Sequence, residues 1–99
     1  MTVKFSPHPH VTCKEVGGRY FLIAYGPAMA TLPYLREINE TGSFFWEMLE
    51  EGYDRDAMLE RALELYDVPR ITLEKGLMAF LNDLTCRGYV TREEIQTRM

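Results

Sequence analysis

Two different hydrophobic periods run along this chain, and the change falls near Asn39. Before it, residues 11–16 (VTCKEV) and 19–25 (RYFLIAY) are rich in β-branched and aromatic side chains. Gly17-Gly18 between them suits a two-residue hairpin turn, so the pattern predicts two antiparallel strands. Gly26-Pro27 breaks the second strand. Residues 31–38 (TLPYLREI) then form a third extended run, with Leu32, Tyr34 and Ile38 on one side and Leu35 on the other. Pro33 has no N–H, which places this run at a sheet edge or a bulge.

After Asn39 the period becomes helical. Asn39 is a good N-cap for a first helix over residues 40–51, in which Phe44, Phe45, Met48 and Leu49 recur at helical spacing. Gly52 followed by Tyr53 is the signature of a left-handed stop with an apolar contact. Asp54 caps a second helix whose Met58, Ala62, Leu65 and Tyr66 share a face, and Val68-Pro69 ends it. Thr72 caps a third, with Leu73, Leu77, Phe80, Leu81 and Leu84 in one stripe and Gly88 as the stop, followed by Tyr89 as the contact to Leu84. Residues 1–10 read as an irregular lead-in and 91–99 as a charged, fraying tail. The predicted fold class is α+β: a small three-stranded antiparallel sheet followed by three helices, an order that evokes winged helix-turn-helix proteins.

Length and composition narrow this further. Ninety-nine residues make one domain, residues 11–90, and 46% hydrophobic with 26% charged residues is an ordinary globular balance. The formal net charge is −4, the wrong sign for a domain that lives on phosphate backbones. The charge is also uneven: residues 1–38 sum to +2 and 39–52 to −4. The helix that would enter a DNA groove is neutral over residues 71–88, which argues against a nucleic-acid partner. No apolar run is long enough to span a membrane and none resembles a signal peptide, so a cytoplasmic location is expected. Cys13 and Cys86 form no CxxC pattern and read as reduced, packed thiols.

Candidate chemistry is sparse. His8, His10 and Cys13 are zinc-competent side chains, but a structural site needs four ligands and the only other cysteine is on the third helix; no metal is expected. A nucleophile with a nearby base is absent, and the acids of the first two helices alternate with core positions as a solvated face does. The chain reads as a non-enzyme without a cofactor.

Two features remain. The third strand is a free edge carrying Leu32, Tyr34, Leu35 and Ile38, a template for an added peptide strand, although Pro33, Arg36 and Glu37 also blunt it against indiscriminate pairing. On the third helix, Met78 lies off the apolar stripe and Gly76 on the opposite flank, where glycine costs about 1 kcal/mol unless something packs close. That combination points to a groove.

The run Asn39-Glu40-Thr41-Gly42 with Phe44, Phe45 and Trp46, then Tyr66-Asp67-Val68, Phe80-Leu81 and Gly88-Tyr89-Val90, resembles the PqqD-like family of peptide chaperones, also called RiPP recognition elements. The resemblance implies a winged-helix-like domain that captures the leader of a ribosomally made precursor peptide as an added strand. The cleft would lie between the third strand (residues 31–38) and the exposed flank of the third helix (residues 73–84). Carried onto this chain, the peptide-binding set is Leu32, Tyr34, Leu35, Arg36 and Ile38 with Gly76, Leu77, Met78 and Phe80. Asn39 and Thr41 become structural caps and Trp46 a core residue. The implied partners are the leader peptide and a modifying enzyme, often a radical S-adenosylmethionine enzyme. Two other readings stay open: a winged-helix transcriptional regulator or regulator-like interaction domain, and a homodimer pairing through the same sheet edge.

Overall fold

The computed structural model describes residues 2–95. In chain order these form β1 (Thr2–Pro7), β2 (Val11–Val16), β3 (Arg19–Ala24), β4 (Leu35–Ile38), α1 (Glu40–Glu50), α2 (Arg55–Leu65), α3 (Arg70–Arg87) and β5 (Val90–Ile95), with a 3-10 turn at Gly26–Ala30. The expected hairpin is β2–β3. Gly17 and Gly18 both take positive φ (60° and 81°), which only glycine adopts cheaply, and they close the register Val16↔Arg19. The three-stranded sheet has the order β2-β3-β4, all antiparallel.

The third strand is shorter than its sequence suggests. Residues 26–30 wind into the 3-10 turn, and the Leu32 N–H bonds back to the Ala28 carbonyl at 2.9 Å. Leu32 therefore turns down into the core (7% exposed) instead of running along the edge, and the strand begins at Leu35.

The helix caps follow from local chemistry. Asn39 Oδ1 accepts from the Gly42 N–H at 2.7 Å, and Asp54 Oδ1 from the Ala57 N–H at 2.8 Å. Gly88 (φ 91°) ends α3 with paired bonds, Tyr89 N–H to Leu84 O at 2.9 Å and Gly88 N–H to Thr85 O at 3.3 Å. Thr72 is not the cap of α3. The helix starts at Arg70 because the Pro69 carbonyl already accepts from Thr72 and Leu73, which puts Thr72 inside the first turn.

The two ends of the chain differ most from expectation. The lead-in is not irregular and the start of the tail does not fray: β1 and β5 pair antiparallel from Thr2↔Ile95 to Pro7↔Val90 as a second, two-stranded sheet. Phe5 and Val90 are buried there, and the His8 N–H extends the link to the Tyr89 carbonyl at 2.8 Å. Residues 96–99 of the expected tail lie outside the described residues. The core forms where α1 covers β1, β2 and β3 and α3 packs on α2 and β5, with Leu22, Trp46, Met58, Leu77 and Leu81 almost wholly sealed. Trp46 is thus a core residue. Leu65, expected on the buried face of α2, stands exposed at its last turn, and Leu59 fills the core instead.

Candidate functional site

The outer edge of β4 has a definite phase. The Ala24 N–H bonds to the Tyr34 carbonyl at 3.0 Å, and in an antiparallel ladder hydrogen-bonded pairs alternate with unbonded ones. With the register Leu22↔Arg36 and Tyr20↔Ile38, the backbone groups of Tyr34, Arg36 and Ile38 face β3. Those of Leu35 and Glu37 face outward, and among the described residues no strand pairs with them. Pro33 precedes the strand, so its missing N–H takes no donor from β4 itself.

An open trough of about 520 Å³ begins where β4 ends, at Asn39, and carries in its wall Asp83, the ion-pair partner of Arg36 on β4. Its α3 wall is Thr72, Leu73, Gly76, Ala79, Phe80 and Asp83, whose spacing of about one helical turn puts them along one flank of the helix. Small residues on that flank leave the hollow. Phe45, Tyr66 and Val68 supply apolar wall from α1 and the segment between α2 and α3, and Asn39, Thr41 and Gly42 bring in the start of α1. Gly42 lets Phe80 approach: a Cβ there would sit 3.0 Å from the Phe80 ring and 3.0 Å from Asn39 Oδ1.

Ionic ties link β4 to its neighbours. Arg36 Nη2 reaches from β4 to Asp83 Oδ2 on α3 at 2.7 Å, and Arg87 Nε holds Asp83 Oδ1 at 2.8 Å. The Arg36 guanidinium also lies 5.7 Å from the centroid of the buried Tyr89 ring. The Arg87 hydrogen bond, with the Arg36 charge beside it, holds the Asp83 carboxyl below its ordinary range, while burial pushes the Tyr89 phenol up. On the opposite face of the strand, Glu37 pairs with Arg19, whose hydrogen bonds lower its pKa.

The sequence-derived set is only partly brought together here. Tyr34 and Leu35 are exposed at the edge, and Arg36 and Ile38 are half-buried on the side of α3. Gly76 and Phe80 line the trough. Leu32 and Leu77 do not: both are core residues. Met78 does not either. It faces a separate, smaller hollow of about 300 Å³ with Val3, Phe5, Arg55 and Arg92, and its Sδ lies 3.6 Å from Arg55 Nη1. A 100° step per residue puts Met78 and Gly76 on opposite flanks of α3, and only one flank can face β4. Sequence reading missed Thr72, Ala79 and Asp83. The signal was present in their spacing from Gly76 and in the small side chains among them.

Other candidate groups stand apart from the trough. His8 Nδ1 accepts from the His10 N–H at 3.0 Å, and the His10 ring stacks edge-on against Tyr25. Cys13 is half-buried beside Ser43, and burial raises its thiol pKa. Cys86 is not packed as expected; it is exposed on the outer side of α3. Among the described residues, no helix is long and apolar enough to cross a membrane.

Comparison with known proteins places this geometry. The family model of coenzyme PQQ synthesis protein D (PqqD) matches residues 34–90, which include both β4 and α3. Among solved structures the chain is similar to TbiB1 in complex with the TbiA(beta) leader peptide, at 21% identity and a TM-score of 0.70 over 87% of this chain and 94% of that one. It is also similar to a lasso peptide synthetase B1 complexed with the leader peptide, at 16% identity and a TM-score of 0.69 over 88% of this chain and 96% of that one. These likenesses show a shared fold. No curated protein matches. Because the matched segment covers more than half of the sequence and contains both walls of the trough, the chain belongs to the PqqD family.

Proposed function

We propose that this domain captures the leader of a ribosomally made precursor peptide as an extra strand on β4 and presents it to a separate modifying enzyme. The observation that carries the reading is the outer edge at Leu35 and Glu37, unpaired among the described residues, on a strand that leads into an apolar trough at Asn39 and is tied to its wall through Arg36 and Asp83. An extended peptide needs both, main-chain partners for affinity and hollows for alternate side chains for specificity. That both similar solved structures are complexes with leader peptides supports it. The mechanism requires no chemistry and no cofactor in the domain. Held by its leader, the precursor's modifiable segment is kept at high effective concentration near the enzyme, which the family likeness suggests is of the radical S-adenosylmethionine type. The acidic outer faces of α1 and α2, with Glu47, Glu51, Glu60 and Glu64 exposed, are the surface we assign to enzyme docking.

Titrating the ¹⁵N-labelled domain with the leader peptide encoded beside this gene tests the proposal. Amides of Leu35 and Glu37 should become protected from exchange, with shifts along residues 35–38 and 72–83. Binding that leaves those amides unprotected would refute strand addition. A second copy of the chain is a rival occupant of the edge, and sedimentation with and without peptide separates the two. The DNA-binding reading gains no support, since Arg70 and Arg87 on α3 are already paired with Glu60 and Asp83.

A further inference from the structure

We infer that the β4 edge selects peptides bearing an acidic residue opposite Arg36; the inference rests on strand addition at β4. In any strand added to this edge, the residue facing Arg36 projects from the same side of the sheet, with Cβ atoms about 4.5–5.5 Å apart. That side is the one toward α3, where Arg36 and Arg87 share the single carboxylate of Asp83. Among the described residues the cluster keeps one uncompensated positive charge. A guanidinium has five N–H donors, and each of these arginines directs one toward Asp83. Donors remain for a second carboxylate.

Arg36 is also better prepared than a surface arginine. Its side chain is 27% exposed and lies against the Tyr89 ring, so part of its desolvation and ordering cost is already met in the free domain. The nearest acid on β4, Glu37, leaves from the opposite face and is held by Arg19, so it does not neutralise the cluster. A glutamine at the facing position would make weaker, uncharged bonds, and a lysine would be repelled.

The test is selection of a fully randomised peptide library, displayed on phage, against the immobilised domain. Binders are mapped by amide protection and measured by fluorescence anisotropy as synthetic peptides. Peptides that protect Leu35 and Glu37 should be enriched in Asp or Glu at one position. Changing that residue to Gln should weaken binding about fivefold, a difference that shrinks at high salt. Asp83→Asn should enlarge the preference, and Arg87→Glu, on an exposed side chain, should turn it toward Lys or Arg. Edge-bound peptides with no acidic enrichment, or a preference unmoved by Arg87→Glu, would overturn the inference while leaving strand addition standing. Binders that never protect the edge amides would overturn both.

Discussion

Proline at position 35 separates the edge hypothesis from a merely apolar groove. The Leu35 N–H faces away from β3, so Leu35→Pro removes no hydrogen bond within the sheet, and Tyr34 before it already pairs in extended register with Ala24. Half of the leucine surface is solvent-exposed (49%), so the folding cost is about 1 kcal/mol, or a fall in Tm of about 4–8 °C. Binding should suffer more. One peptide hydrogen bond is worth about 1 kcal/mol net, and the ring also occupies the space of the lost hydrogen and disturbs the neighbouring bond. The expected total is about 1–3 kcal/mol, an increase in Kd of about 5- to 150-fold. Arg36→Pro is the contrasting variant. Its N–H faces Leu22, which is fully buried, so an unpaired carbonyl remains inside the sheet and the ties to Asp83 and Tyr89 are lost as well. That variant should lose about 3 kcal/mol or more of stability. Anisotropy with the labelled leader peptide and urea unfolding of each variant provide the readouts, and Leu35→Ala isolates the side-chain effect. If Leu35→Pro folds and binds within twofold of Leu35→Ala, the peptide does not pair with this edge.

Three other outcomes are expected. Gly42→Ala should push the Phe80 ring into the trough and weaken peptide binding, while the gain in helix propensity of about 1 kcal/mol largely offsets the strain in folding; thermal melts beside binding curves check this. Asn39→Ala removes the acceptor of the Gly42 N–H and should cost about 1 kcal/mol in urea unfolding. The folded pKa of Asp83 is depressed below the unfolded value of 3.8, so the unfolded chain takes up the proton first as pH falls. The contribution of this carboxylate is therefore present above the unfolded value and lost as pH drops through the folded one. Urea midpoints should fall more between pH 5.5 and about 2.5 for the wild type than for Asp83→Asn, and equal falls would contradict the assignment.

What could be read from the residues themselves is what short-range chemistry controls. Asn39, Asp54, Gly52 and Gly88 set helix ends because each cap acts within a single turn, and Gly17-Gly18 sets the hairpin because only glycine takes both its φ angles cheaply. The leucine stripe of α3 was equally visible, since a helix turns by a fixed angle per residue. Long-range pairing was not. β1 and β5 join segments from opposite ends of the sequence, and neither TVKFSP nor VTREEI carries enough apolar surface to be a strand until the other supplies its ladder. The trough depended on packing in the same way. A helical wheel places Gly76 and Met78 on two flanks of α3 but cannot say which flank faces β4; that choice comes from α3 docking on α2 and β5, which leaves the Thr72, Gly76 and Asp83 side lining the trough, with Asp83 tied to Arg36 of β4. Periodicity and local caps thus fixed the three helices and the β2–β3 hairpin, while the terminal sheet, the outward-facing main chain of β4 and the trough at its end exist only because distant segments bury one another.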